Sequence, residues 1–263
     1  MITAADAEHR ARSASSLQVI GLPLAGEVVP GAQVAELLLA VIHTQDIAIE
    51  PDDVLAVTQK IVSKAEGRLV RLDDVEPSPF ACQVAAAHGR DPRLIELVLR
   101  ESRRIVRMDH GVLITETHHG LVCANAGVDA SNVAGGSTVS LLPLDPDRSA
   151  AEIRGAIGTR LGVWPAVIIT DTFGRPWRNG LTNVAIGAAG LAPMTTFAGQ
   201  HDAFGYELRV TEIAVADELA GAAELVMGKI SDVPFALIRG FHAQATTGSA
   251  RDLVRAAEMD LFR

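Results

Sequence analysis

Ala166-Val167-Ile168-Ile169-Thr170-Asp171-Thr172-Phe173-Gly174-Arg175-Pro176-Trp177-Arg178 is the stretch on which the reading of this chain turns. Its first four residues form a short continuous apolar run, which reads as a buried strand. Thr170, Asp171 and Thr172 follow at what should be that strand's carboxyl end, and two arginines, Arg175 and Arg178, stand close behind. Pro176 and Trp177 between them point to a rigid presentation of both guanidinium groups.

A companion stretch lies upstream, Cys123-Ala124-Asn125-Ala126-Gly127-Val128-Asp129-Ala130-Ser131-Asn132, where polar side chains sit in a frame of Gly and Ala. Small residues let a backbone approach a charged ligand closely. Together the two stretches offer hard oxygen donors at Asp129 and at Asp171 and Thr172, the set that Mg2+ or Mn2+ takes when it holds a polyphosphate. The plainer alternatives stay open here: an aspartate after a strand is commonly a helix cap or turn former, and the arginines suit surface salt bridges as well as phosphate oxygens.

Composition narrows the field. At 263 residues, 48% hydrophobic and 21% charged, the chain is that of a globular protein able to bury a sizeable core. Aromatic residues are only 4%, so that core is built from Leu, Val, Ile and Ala. A formal net charge of -9 argues against general nucleic-acid binding, which needs a basic face. Two cysteines, Cys82 and Cys123, in no CxxC or Cys/His spacing, suggest neither a zinc site nor a disulfide framework, and the expected compartment is a reducing cytoplasm. Asp6, Glu8, Arg10 and Arg12 leave the first dozen residues without the apolar core of a signal peptide. No apolar run approaches the roughly 18 residues needed to span a bilayer.

Along the chain, residues 1–16 read as a loose arm, 17–241 as the main body and 242–263 as a tail carrying one more helix, Ser249 to Leu261. Leu17 to Ile20 reads as a strand, and Val34, Leu37, Leu38, Val41 and Ile42 follow helical spacing. Strands are expected at Val54 to Thr58 and around Arg68 to Leu72, then a proline-containing loop at Glu76 to Pro79. Asp91-Pro92 has the form of an N-cap with proline at the first helical position. β-Rich segments follow around Val112 to Ile114 and Leu121-Val122, and Ser149 to Glu152 reads as a capping box before Ile153, Ile157 and Leu161. After the strand at 166–170 come a Gly-rich helix near 182–191, a loop at 199–206, a long helix near 212–227 and a strand at 235–238. Strands and helices mix without a sustained βαβ rhythm, so the class is α+β. Neither GxxxxGK[ST] nor GxGxxG occurs, which removes both common phosphate-cradling loops, the Walker and the Rossmann types.

The two polar stretches, with Ser63-Lys64-Ala65-Glu66-Gly67-Arg68 before them and Ala214-Val215-Ala216-Asp217-Glu218-Leu219-Ala220 after them, resemble the coenzyme F420:L-glutamate ligase family. The likeness runs from about Ile20 to about Gly240, in several motifs in the right order. It implies a two-lobed α/β fold particular to these ligases, assembled as a homodimer. It further implies a reaction in which GTP and a divalent metal, Mg2+ or Mn2+, with K+ as a further candidate ion, serve to join L-glutamate by an amide bond to a coenzyme F420 precursor through an acyl phosphate. By the same resemblance GTP is held by Leu22-Pro23-Leu24-Ala25, Lys64, Asn132 and the Gly228-Lys229 segment. The metals are ligated by Asp129, Asp171 and Thr172, and Asp129, Asp171 and Arg175 are carried as the catalytic set.

Two positions depart from the family's pattern. Lys229 stands where some members carry a glutamine that contacts metal and nucleotide, and a protonated lysine cannot ligate a metal, although it can meet a phosphate. Gln59 stands where close relatives carry serine. Glu116, His118 and His119 precede the first polar stretch as either ligand-orienting groups or a polar hairpin, and Asp217 and Glu218 are either solvated helix charges or supporting groups. Cys123 reads as a small buried residue. Two other functions fit parts of the pattern: a metal-dependent phosphatase, prompted by Asp171-Thr172-Phe173-Gly174 but lacking the second acid at Phe173, and a non-catalytic nucleotide-binding relative.

Overall fold

The computed structural model describes residues 16–130, 137–243 and 247–260. In chain order the first half contains β1 (Gln18–Leu22), α1 (Val34–Thr44), β2 (Val54–Thr58), α2 (Gln59–Ala65), β3 (Leu69–Arg71), α3 (Pro79–His88), α4 (Pro92–Arg100), β4 (Ser102–Asp109), β5 (Val112–Thr117) and β6 (Val122–Ala124). The second half contains β7 (Thr138–Ser140), α5 (Pro146–Leu161), β8 (Ala166–Arg175), β9 (Arg178–Ala189), β10 (Thr195–Thr196), β11 (Glu212–Ile213), α6 (Val215–Met227) and β12 (Phe235–Arg239). The class is α+β, and no described helix is long and apolar enough to cross a membrane.

A five-stranded mixed sheet in the order β1-β12-β2-β8-β9 forms the centre. Only β2 and β8 run parallel, with Val54 opposite Ala166 and Thr58 opposite Thr170. Because side chains alternate across a strand, Leu55, Val57, Val167 and Ile169 enter one core with α1 and α5, while Val54, Ala56, Ala166 and Ile168 enter another beneath α6. Cover on both faces is why these strands are apolar runs and not alternating ones. Ala56, Ala216, Ala220, Ala223 and Ala236 fill the second core, and their short side chains let α6 lie close to the sheet.

A separate three-stranded antiparallel sheet, β4-β5-β6, carries α3 and α4, with its own core of Ala81, Val84, Ala85, Ile95, Val98, Leu113 and Ala126. The segment expected as a proline-containing loop ends in the start of α3. Ser78 caps α3 by accepting the Ala81 N–H at 3.2 Å, Pro79 opens the helix and Gly89 closes it in the left-handed region at φ 62°. The Asp91 cap of α4 is formed as expected, accepting the Arg93 N–H at 2.8 Å.

Three expectations are corrected. The segment expected as a Gly-rich helix near 182–191 is the strand β9. Its small residues answer a packing demand instead of a helical one: a Cβ on Gly187 would meet the Pro146 backbone at 2.4 Å, so α5 tolerates only glycine there. The Ser149-Glu152 capping box is not formed, because α5 begins earlier at Pro146, capped by Asp145, which accepts the Arg148 N–H at 3.1 Å. Ser149 instead donates its hydroxyl to Glu66 at 2.6 Å. Among the described residues the tail segment expected as one helix from Ser249 forms two short 3-10 turns, Ala250–Leu253 and Ala257–Met259, and Leu261 lies outside the described residues.

Candidate functional site

The polar groups gather where the parallel pair ends. α2 starts directly after β2, so Lys60 and Lys64, one helical turn apart, project beside Thr58. On the neighbouring strand the pairing of β8 with β9 slips at Ile169/Thr170, leaving Ile186 extra between Ala185 and Gly187. Such a bulge bends the strand that carries it, here β9, just where β8 passes on into Asp171 and Thr172. The slip lies on the sheet's outer strand, whose backbone N–H groups are taken up by carboxylates from flanking helices. Asn183 donates to Glu224 at 2.8 Å, Ala185 to Asp217 at 2.9 Å and Ala188 to Asp147 at 2.8 Å. Burial holds the Asp217 carboxyl above its usual range, and the Ala185 N–H opposes that rise. Asp217 is thus part of the frame that fixes β9, a role the helix pattern alone did not reveal.

Asp129 arrives from the other side. The turn at Asn125 and Ala126 uses left-handed backbone (φ 52° and 53°), and Asp129 then bridges to Ser140 through paired backbone hydrogen bonds of 3.0 and 2.8 Å. Its carboxylate meets the Lys60 ammonium at 2.6 Å. Asp129, Asp171 and Thr172 line a single cavity of about 650 Å³, together with Lys60, Lys64, Asn183 and Lys229. Leu24 and Gly228, from the segments expected to hold GTP, line it too. Lys64 is paired with Glu27 at 3.1 Å. Gln59 is buried at the cavity wall, its amide oxygen accepting from Ser63 at 2.8 Å.

The cavity's charges are unevenly compensated. Burial pushes the Asp171 carboxyl up to about 6 from an ordinary 3.8. The Thr172 N–H and the Lys60 and Lys229 ammonium groups draw it down, and the Asp129 charge pushes it up. Asp171 therefore senses Lys60, Asp129 and Lys229 at once, although it shares no element with any of them. Lys229 donates to the Thr172 hydroxyl oxygen and stands 3.7 Å from Glu224. Among the described residues no three or more His, Cys, Asp or Glu side chains gather as a closed metal site. Two carboxylates and a hydroxyl make an open set, which suits a hard cation that completes its shell with ligand oxygens. Ammonium groups already rest on Asp129 and Thr172, so these oxygens face cations.

Other expected site residues lie elsewhere. Leu22 is fully buried in the core, and Pro23 and Ala25 are exposed, with none of the three lining the cavity. Arg175 sits at the β8-β9 hairpin tip, donating to the Asn179 carbonyl at 2.9 Å, and neither it nor Arg178 lines the cavity. Asn132 lies outside the described residues. Glu116 pairs with Arg104 at 2.8 Å, while His118 and His119 bond the Arg100 and Pro143 carbonyls at 2.9 and 2.8 Å. These three serve the small sheet and its connections. Burial pushes the Cys123 thiol up to about 12, and the Asp171 charge adds to the rise, which leaves it inert as a nucleophile.

Comparison with known proteins assigns the chain to a family. The family model for F420-0:Gamma-glutamyl ligase matches residues 24–240. The Coenzyme F420:L-glutamate ligase of Methanopyrus kandleri is 44% identical over 253 residues, covering 94% of this chain and 98% of that protein. The enzymes of the same name from Methanothermobacter thermautotrophicus and Methanocaldococcus jannaschii are 42% and 41% identical, covering 95% and 82% of this chain and 98% and 86% of theirs. The chain belongs to the F420-0:gamma-glutamyl ligase family.

Proposed function

We propose that this chain is a coenzyme F420:L-glutamate ligase that uses GTP to activate the coenzyme precursor's carboxylate. The observation that carries the reading is the meeting of Asp129, Asp171 and Thr172, from distant parts of the chain, in one cavity that three lysines also line. Polyanionic substrates need both kinds of group: ammonium ions to bind phosphate oxygens, and carboxylates to hold a divalent cation.

In the reaction the acceptor's terminal carboxylate oxygen attacks the γ-phosphorus of GTP, and the bond to the bridging oxygen breaks to release GDP. The product is an acyl phosphate. The α-amine of L-glutamate then attacks the activated carbonyl carbon, inorganic phosphate leaves, and the amine's proton is lost to solvent or to a nearby base. Asp129, Asp171 and Thr172 would hold Mg2+ or Mn2+, which offsets the repulsion between the attacking carboxylate and the triphosphate. Lys60, Lys64 and Lys229 bind and orient the phosphates. The chain's share of catalysis is positioning and electrostatic stabilisation, with no covalent enzyme intermediate.

The same reading includes a homodimer, supported by exposed apolar side chains on the β8-β9 hairpin and the 199–210 loop, among them Trp177, Leu181, Phe204 and Val210. Light scattering should return twice the 27.7 kDa chain mass. Mass spectrometry after incubation with GTP, L-glutamate, Mn2+ and the coenzyme precursor should show products heavier by one glutamate residue, together with GDP. Nucleotide binding without any such product would favour the non-catalytic reading, and phosphate release from simple esters the phosphatase.

A further inference from the structure

We propose that Asn183 is a positioning residue for the cation site: it fixes the Thr172 hydroxyl as an oxygen acceptor turned to the cavity. Asn183 is only 6% exposed and lies within β9, where asparagine is a poor strand former. It stands directly across from Thr172 in the antiparallel register, and the Thr172 hydroxyl donates to the Asn183 Oδ1 at 2.7 Å.

A hydroxyl carries one proton and two lone pairs. Lys229 is a donor only, so its contact with Thr172 Oγ takes a lone pair. Asn183 takes the proton, and one lone pair remains for a ligand in the cavity that Thr172 lines. Without the amide oxygen the hydroxyl is free to rotate and to present its proton to the cavity, the wrong polarity for a cation. Glu224 completes the support from α6. One carboxylate oxygen accepts the Asn183 N–H at 2.8 Å and the other stands 3.7 Å from Lys229, so the same side chain anchors both groups that flank Thr172. Groups that orient a ligand in this way are commonly worth about 10- to 100-fold in metal affinity.

The inference rests on the proposed role of Thr172 as a cation ligand, and a double-substitution cycle separates the two. Mn2+ affinity is measured by electron paramagnetic resonance in the wild type, Asn183→Ala, Thr172→Val and the double variant, with thermal melting as a check on folding. We expect Asn183→Ala to weaken Mn2+ binding by about 10- to 100-fold in the wild type and by less than about threefold on the Thr172→Val background, where no hydroxyl is left to orient. Equal losses on both backgrounds, or none on either, would overturn the positioning role while sparing the cation site. Unchanged Mn2+ affinity in Thr172→Val would overturn both. Should Asn183→Ala fail to fold, Asn183→Asp keeps an acceptor oxygen in place: affinity within about threefold of wild type supports the proposal, and a loss beyond about tenfold defeats it.

Discussion

Asp53 and Asp171 sit at opposite ends of the β2-β8 parallel pair, and the rest of the chain treats them in opposite ways. Asp53 directly precedes β2 and is 1% exposed. Arg239 donates to both of its carboxylate oxygens at 2.8 and 2.7 Å, and the Glu50 N–H adds a third bond at 2.8 Å. Its carbonyl also receives the N–H of Ala166, so this end of the pair is locked. At the other end Asp171 has the N–H of Thr172, two ammonium groups, an opposing Asp129 and a cavity in front of it. Residue type does not distinguish these two aspartates. What distinguishes them is whether the fold completes the charge or leaves it for a ligand to complete, and a carboxylate left incomplete beside a cavity marks function.

Substitutions should divide along that line. The largest effect is expected at the open end: Asp129→Ala lowers turnover by about three orders of magnitude, the loss of several kcal/mol of charge stabilisation, while circular dichroism shows the fold retained. At the locked end Asp53→Ala should do the reverse. It strips Arg239 of its buried two-oxygen partner, leaving it Glu50 and the Ala48 carbonyl, and costs about 3 kcal/mol in urea unfolding, with kcat/KM per folded molecule little changed.

A smaller and opposite stability effect belongs to Asp171→Asn. Because burial raises the Asp171 pKa to about 6, its charged form works against folding at neutral pH. Removing that charge should raise metal-free stability by about 1–2 kcal/mol even as turnover collapses. Between 3.8 and about 6 the folded chain holds a proton on Asp171 that the unfolded chain does not, so this group's contribution favours folding increasingly as pH falls through 6. Cation binding must displace that proton, and Mn2+ affinity should drop about tenfold per pH unit below 6. Arg175→Ala should change kcat/KM by less than about threefold, because the guanidinium serves the hairpin tip through Asn179. A loss of a hundredfold there would show that the tip reaches the substrate during turnover.

The same contrast explains what the sequence disclosed. β2 and β8 were legible because both faces of each are covered, which leaves unbroken apolar runs ending at Thr58 and at Thr170. β9 was not, since Gly187 and its alanine neighbours look helical until α5 and the Pro146 backbone are pressed against them. Asp129, Asp171 and Thr172 stood out as hard-oxygen donors in small-residue frames, yet their shared cavity brings together the end of β8 and a segment that follows a left-handed turn at Asn125 and Ala126, which no local pattern announces. Asn183 and Glu224 were missed altogether. The one usable sign was an asparagine set among Val184, Ala185 and Ile186, a polar residue where a buried strand calls for an apolar one.

Mn2+ binding to the wild type, Asp129→Ala and Asp171→Asn, each with GTP present, tests most directly whether the open end holds a cation between two carboxylates. Each substitution alone should abolish saturable Mn2+ binding at concentrations that fill the wild type. If both variants bind Mn2+ as the wild type does, the two aspartates do not share a cation and the account of this site is wrong.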